Sequence, residues 1–501
     1  MAQHAGGASV LEASQGTATR VEADSMGTME VPADLLYGAS TQRAVLNFPV
    51  SGRPVPEQVI QAYALLKSMC AQANEELDLL DAQRSKAIQT ACDAIKHGLP
   101  QHGGLMRHFP VDIFQTGSGT STNMNVNEVV SNLVCIARGK PIGSSKDAEY
   151  LKAGGVHPND HVNMGQSSND TFPTAMHIAA ALSIANELIP AIDKITQSLD
   201  RKAKSFDEIV KIGRTHLQDA TPIRLGQEFA GYTSQMQHAR VRLERALAAL
   251  GELALGGTAV GTGINTHGKF GSLVAKKLAA HTGVQFREAE DHCEAQHAKD
   301  AIVETSGMLR TVAVSLSKIA NDIRWMGCGP RCGIGELKLP AVQPGSSIMP
   351  GKVNPVLCES VMMVCCQVIG NDAAVTMGGL GGIGSILDLN VAMPVMAANV
   401  LDSIHLLSRA CHVFVDNLLD GPEGSGGLQA DVDRCKELIE GSLAMCTSLV
   451  PAIGYDQSAA LAKRAYKEGK TVRELARELG VLSNEELDRL LDPMSMTKPV
   501  A

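Results

Sequence analysis

Between Pro222 and Leu250 the residues Phe229, Tyr232, Met236, Ala239, Leu243, Ala246, Leu247 and Leu250 recur every three or four positions, with Arg240, Arg242, Glu244 and Arg245 between them. An apolar stripe of that period predicts one long helix that buries a single face. Similar patterns run over Asp170–Phe206, Ala295–Met326, Pro355–Met377 and Ala392–Leu419. Five long helices of this kind predict an all-α fold with a central up-and-down bundle. Aromatic residues make up only 3% of the 501-residue chain, so Ala, Leu, Val, Ile and Met must fill the core, which favours helix packing.

The rest of the chain is arranged around that bundle. Residues 1–21 offer little to bury and are expected to form a mobile tail. Residues 22–164 read as an N-terminal domain, with antiparallel helices over Pro56–Leu80 and Asp81–Leu99; Pro56 suits a first helical position and Asp81 an N-cap. The bundle occupies 165–420. A break at Gly421–Gly427, "GPEGSGG", opens a small helical domain over 421–501, where Thr471-x-x-Glu474 and Ser483-x-x-Glu486 predict capping boxes.

Charge and composition exclude several functions. A net charge of −9 gives no basic footprint for nucleic acid. No apolar run is expected to span a bilayer, and the opening twenty residues lack a basic-then-apolar leader, so the expectation is a cytoplasmic protein, with a mitochondrial one less favoured by the scarcity of Arg near the start. The 12 cysteines form no paired CxxC units. They read as small buried hydrophobes, and no metal or other cofactor is expected.

Four polar, Gly-bearing loops stand out: "QTGSGTSTNMNVNE" at Gln115–Glu128, "HPNDHVNMGQSSND" at His157–Asp170, "GRTHLQDATP" at Gly213–Pro222 and "PGSSIMPGKVNP" at Pro344–Pro355. Each is expected to lead into a helix, where free N–H groups and short hydroxyl or amide side chains receive a carboxylate. Singly they have plainer readings. Thr120, Ser167 and Ser168 are the residue types that cap helices, and Asn169 and Asp170 would close the same cap. His216 alone would be a structural histidine, and Glu359 an acid in the first turn of a helix. His157-Pro158-Asn159-Asp160 reads as a His-Pro turn capped by Asn or Asp. The last loop, with Gly345 and Gly351 near its ends, reads as an active-site lid.

Taken together the loops resemble the fumarase/aspartase superfamily. Gly345, Ser346, Met349, Lys352 and Asn354 match its Gly-Ser-x-x-Met-x-x-Lys-x-Asn signature, and the resemblance extends over nearly all the chain beyond the tail. Thr116–Thr120, Ser167–Asp170, Thr215–Asp219 and Gly329–Glu336 are similar to the class II fumarate hydratases, the metal-free members. The resemblance implies reversible hydration of fumarate to L-malate through an aci-carboxylate carbanion. It implies Ser346 as base, His216 with Glu359 acting through a water on the leaving group, and Lys352 as a catalytic cation. Ser118, Thr120, Ser167, Ser168, Asn169, Thr215, Ser347, Lys352 and Asn354 would hold the substrate, and His157, Pro158, Asn159 and Asp160 a second anion. It also implies a homotetramer whose active sites draw on three subunits. The segment Gly382–Asn390 departs from the family pattern, being longer and less aromatic.

Two other readings use the same scaffold. An aspartate ammonia-lyase would share the base and differ in the leaving group; His216 and the fumarase-like loops disfavour it. A non-catalytic structural protein, like the crystallins of the superfamily, would be expected to carry a damaged Ser, Lys or His motif, and none is damaged.

Overall fold

The computed structural model describes residues 18–499. Helices carry the fold, and the strands among the described residues occur only as five two-stranded pairs. The chain divides into two compact units. One gathers residues up to 189, 242–310 and 367–406; the other gathers 190–241, 311–366 and 407 onward. The five long helices predicted from periodicity are all present, and each contributes residues to both units.

The stripe that defines the longest pattern is buried as expected at Phe229, Tyr232, Met236, Ala239, Leu243, Ala246 and Leu250, with Leu247 half-buried. The helix begins later than predicted, at Leu225 rather than Pro222. Pro222 pairs with Ile212 in a hairpin of strands Val210–Thr215 and Gln218–Arg224, where Thr221 and Ile223 favour extended backbone. The helix predicted over Ala295–Met326 is also interrupted. His292–His297 ends where the Lys299 ammonium donates to the carbonyls of Ala295, Gln296 and Ala298, and a new helix runs over Asp300–Met326.

Helices Glu57–Glu76 and Ala82–Lys96 form the expected pair in the first unit, with the Asp81 side chain accepting from Arg84 N and Pro56 standing one residue before the first turn. Most of the expected tail, residues 1–17, lies outside the described residues, and Thr19–Val21 are paired in a strand with Glu30–Pro32. In the second unit both predicted capping boxes close, at Thr471/Glu474 and Ser483/Glu486. The short C-terminal helices meet around Ile439, Leu449, Leu461, Leu475 and Leu487.

Two sequence expectations need correction. By length and mean hydropathy, Ser168–Ser205 and Val356–Gly379 do reach the range of a membrane-crossing helix; the first is mostly buried. The second leaves Met363, Ile369 and Met377 exposed. Cys293, Cys332 and Cys366 are exposed rather than buried.

The helix Thr120–Ala137 is polar yet buried, because its side chains serve neighbouring backbone. Asn125 donates to His108 O, Asn132 donates to Leu36 O, and the Glu128 carboxylate accepts from the N–H groups of Gly38, Ser40 and Thr41 and from the Thr41 hydroxyl. Glu128 thereby caps the helix Ala39–Asn47, whose own N-cap, Gly38, has no side chain to do so. Glu128→Gln replaces half of that acceptor with an NH2 group facing donors. The variant should lose roughly 2–4 kcal/mol, for one charged acceptor and the donors left unpaired. A calorimetric melt reads this as a midpoint several degrees lower; an unchanged midpoint would remove Glu128 from the cap.

Candidate active site

In the first unit, two helix starts carry the hydroxyls that the sequence singled out. Thr120 opens one helix after "TGSG", and Ser168 opens another after Ser167. Ser118 Oγ lies 2.9 Å from Thr120 Oγ1, which lies 2.8 Å from Ser168 Oγ. These three form a continuous row. The loop in front of Thr120 admits only glycine at two places: a Cβ on Gly117 would sit 1.7 Å from Val391 O, and one on Gly119, at φ +73°, would sit 1.9 Å from the Phe172 ring.

Ser167 and Asp170 make a reciprocal capping box, so the plain reading of Ser167 describes its hydroxyl. Asn169 donates to Ala259 O at 2.8 Å, which ties it to the Gly-rich segment that follows the long helix. Asp170 does more than close its cap. Its carboxylate accepts from Ser167 N at 2.9 Å, Thr258 N at 2.9 Å and Gly256 N at 3.2 Å. Burial pushes this carboxyl up to about 6 against those donors.

His157 Nδ1 accepts from Asn159 N and Asp160 N, so the cap of this turn is the histidine and not Asn or Asp. The Asp160 carboxylate stands 3.3 Å from the ring, and burial draws the imidazole below its usual range. Pro158 occupies the first position of the turn and is buried. Asn159, Thr116 and Thr120 line one cavity of about 540 Å³, together with Arg43 and Lys146.

In the second unit, the signature loop closes on itself. Gly345 N donates to Lys352 O at 2.7 Å and the Asn354 amide donates to Gly345 O at 2.7 Å. A Cβ on Gly345 would fall 2.6 Å from Lys352 O. Ser346 Oγ accepts from Ile348 N at 3.2 Å and Met349 N at 3.0 Å. Two N–H groups aimed at one oxygen favour negative charge there, which is the setting a serine base requires. Ser347 and Lys352 are exposed, and Glu359 stands exposed in the first turn of helix Val356–Gly379.

The loop "GRTHLQDATP" differs from the expectation, since it forms the hairpin rather than the approach to a helix. Thr215 pairs with Gln218, leaving His216 and Leu217 as a two-residue turn with φ of 57° and 60°. Both are unusual for non-glycine residues, and the usual Asn-Gly signature is absent. The tip is exposed, and His216 makes no hydrogen bond to Glu359 within the chain among the described residues.

Sequence reasoning missed the groups that hold these segments. Glu336, fully buried, accepts from Arg214 at 2.9 Å and lies 3.3 Å from Lys211, which also pairs with Glu228 at 3.0 Å. Lys67 lies buried in the first unit with its ammonium on Asn123, Asn163 and Gln166. Its signal was present in "AYALLKSMC", a lysine within an apolar helical run.

Comparison with known proteins identifies the family. A family model described as Lyase matches residues 27–370, and one described as Fumarase C C-terminus matches 445–498. The class II fumarate hydratase of Corynebacterium glutamicum is 51% identical over 95% of this chain and 96% of its own. The mitochondrial fumarate hydratase of Mus musculus is 49% identical over 96% of this chain and 90% of its own. A crystal structure of recombinant class II fumarase from Schistosoma mansoni superposes with a TM-score of 0.89 at 39% identity, covering 96% of this chain and all of that one.

Arg214 lies two residues before His216, so the buried ion cluster fixes the base of the strained turn. Removing one partner of such a cluster leaves buried charge uncompensated, at a cost of roughly 3–5 kcal/mol. Glu336→Ala should therefore lower the melting midpoint and, in protein that stays folded, reduce turnover at least about tenfold through misplacement of the turn. Wild-type melting and turnover in this variant would show that the hairpin does not depend on the cluster.

Proposed function

The chain belongs to the lyase family and, within it, to the class II fumarate hydratases; it interconverts fumarate and L-malate, and we propose that it does so with Ser346 as base, without a metal, at sites shared between subunits. The observation that carries this reading is the pair of N–H groups donating to Ser346 Oγ. In water a serine hydroxyl is far too weak a base for a C–H next to a carboxylate. Donors that are already in place stabilise the alkoxide without reorganisation.

In the dehydrating direction the Ser346 alkoxide takes the C3 proton of malate, and the electron pair moves into the adjacent carboxylate as the aci-carboxylate. Lys352 and Asn354 face that developing charge. Thr215, Ser347 and the row Ser118, Thr120, Ser168, with Ser167 and Asn169 at the same helix start, hold the two carboxylates. The C2–O bond then breaks, and the hydroxide leaves as water with a proton delivered through a bound water on His216, oriented by Glu359. Reading the steps backwards gives hydration, with the new C–H and C–O bonds formed anti to one another. His157 to Asp160 would hold a second dicarboxylate near the 540 Å³ cavity that Asn159 and Thr120 share.

A homotetramer fits the surface. Met363 is 67% exposed, Val314 55% and Trp325 45%, all on long helices, and Leu217 is 65% exposed at the hairpin tip. In the proposed assembly these apolar side chains would be covered by neighbouring subunits. His216 and Glu359, which have no side-chain partner among the described residues, would then find their partners across subunits.

Purified protein mixed with L-malate should produce fumarate, followed by its ultraviolet absorbance, and L-aspartate should not. Activity should survive dialysis against EDTA. Fumarate from aspartate alone would overturn the assignment, and activity lost to EDTA and restored by iron or zinc would overturn the metal-free reading.

Shared sites have their own test. Ser346→Ala and His216→Asn proteins, each nearly inactive, should regain part of the wild-type rate when mixed under conditions that exchange subunits. Mixed tetramers, verified by a mass tag, that remain inactive would place both residues in the same chain's contribution to a site.

A further inference from the structure

Helix Glu57–Glu76 places Lys67 in the interior of the first unit, with no exposed surface. Its ammonium donates to Asn123 Oδ1 at 2.8 Å, Asn163 Oδ1 at 2.9 Å and Gln166 Oε1 at 2.9 Å. All three acceptors are neutral amides, and Lys67 forms no ion pair with any described residue. A buried cation is usually paired, because amide oxygens replace its hydrogen bonds to water without cancelling its charge.

The amides around Lys67 lead to the substrate-binding segments. Asn123 belongs to the first turn of the Thr120 helix and also accepts from Thr171 Oγ1, in the first turn of the Ser168 helix. Asn163 gathers further donors from Asn123 and Asn127. Gln166 immediately precedes Ser167. One ammonium thus ties together the two helix starts and the loop in front of the second. A positive charge behind the two helix starts adds to the pull of their dipoles on an anion.

We infer that Lys67 is a positioning residue for the dicarboxylate: its buried charge has no ion-pair partner among the described residues and is complemented by the substrate carboxylate received at the Thr120 and Ser168 helix starts. The inference rests on the reading of those residues as substrate-binding. It assigns Lys67 no contact with the substrate; the lysine acts through the amides and through space.

The charged and titratable groups facing Lys67 are few. On its own helix Tyr63 presents its ring 5.9 Å away and Cys70 its thiol; Cys92 comes from the helix Ala82–Lys96, and Asp170 from the Ser168 helix. Burial holds both thiols above the physiological range and the phenol higher still. Burial draws the Lys67 ammonium down to about 8, while Asp170 acts on it from a distance. The protonated form is the one that favours a bound anion, so affinity is complete below that value and falls as the pH rises through it, by at most tenfold per unit.

The test uses the full-length oligomer and three readouts. Lys67→Met, neutral and of similar length, should raise KM for malate about tenfold while changing kcat less than threefold, a loss of shared binding to ground and transition state. In a His216→Asn background, which removes the histidine titration, the dissociation constant of a non-reacting dicarboxylate such as succinate should rise above about pH 8. Adding Lys67→Met should abolish that rise. A purely structural lysine would lower the melting temperature and leave KM and the succinate pH profile unchanged, which overturns the inference. If Lys67→Met does not fold, the His216→Asn profile decides alone, and a flat line to pH 9.5 overturns it. Wild-type protein that fails to make fumarate from malate would sink the functional reading itself, an outcome distinct from both.

Discussion

A helix start can hold an anion only if the loop before it is fixed and the free N–H groups are not filled from within. The Asp170 carboxylate meets the first condition, fixing the loop before the Ser168 helix, although the same capping box occupies the N–H groups of Ser167 and Asn169. It accepts from Ser167 N and from the N–H groups of Gly256 and Thr258, joining the cap of the Ser168 helix to a Gly-rich segment distant in sequence. Close packing makes the join possible. A Cβ on Gly257 would lie 2.3 Å from Gln296 Oε1, and one on Gly261 would lie 2.6 Å from the backbone of Cys293. With Asp170 and Ser167 engaged in the cap, the hydroxyls of Ser118, Thr120 and Ser168 stay in a row, hydrogen-bonded mainly to each other.

The second unit works by the opposite arrangement. Its candidate residues sit on exposed segments: the Ser346 loop is closed by bonds among its own residues, Ile348 is 83% exposed, and the His216 turn is exposed. That turn also carries strain, because left-handed backbone costs a non-glycine residue roughly 1–2 kcal/mol. Strain of this size persists only where the surroundings impose it. The buried cluster of Lys211, Arg214, Glu228 and Glu336 holds Arg214, two residues before the turn.

Much of this was legible in the sequence, for a definite reason. Long helices declare themselves because the apolar stripe repeats over many turns, so Leu225–Leu250 was readable from Phe229 to Leu250. Its first residues were not, because Pro222 is an equally good helix opener and edge-strand residue. The hairpin was hidden for a similar reason: His216-Leu217 lacks the Asn-Gly pattern that marks such turns. The capping boxes were legible because both partners lie within four residues. Glu128, Glu336 and Lys67 were not, because their partners lie from 56 to 125 residues away, and a sequence read locally sees only an acid or a lysine out of place. The hydroxyls raised the opposite difficulty. Ser167 serves as a cap, as its type suggests, while Ser168 and Thr120 beside it do not, and only geometry separates them.

The two kinds of site chemistry answer a requirement of reversible hydration. Fumarate and malate differ by one water, and each must be held well enough to react without being held too well to leave. Both carry the same two carboxylates, so binding groups that act on those carboxylates lower the energy of substrate, product and transition state together and leave the barrier unchanged. Neutral hydroxyls suit such even-handed binding, and in the proposed reaction the row from Ser118 to Ser168, in which either oxygen of each pair can donate, would serve it. A charge that appears only between fumarate and malate needs donors that are fixed beforehand. The N–H groups on Ser346 and the Lys352 ammonium on the same closed loop are of that kind, and in the proposed reaction it is they, rather than the carboxylate-binding row, that set the rate in both directions.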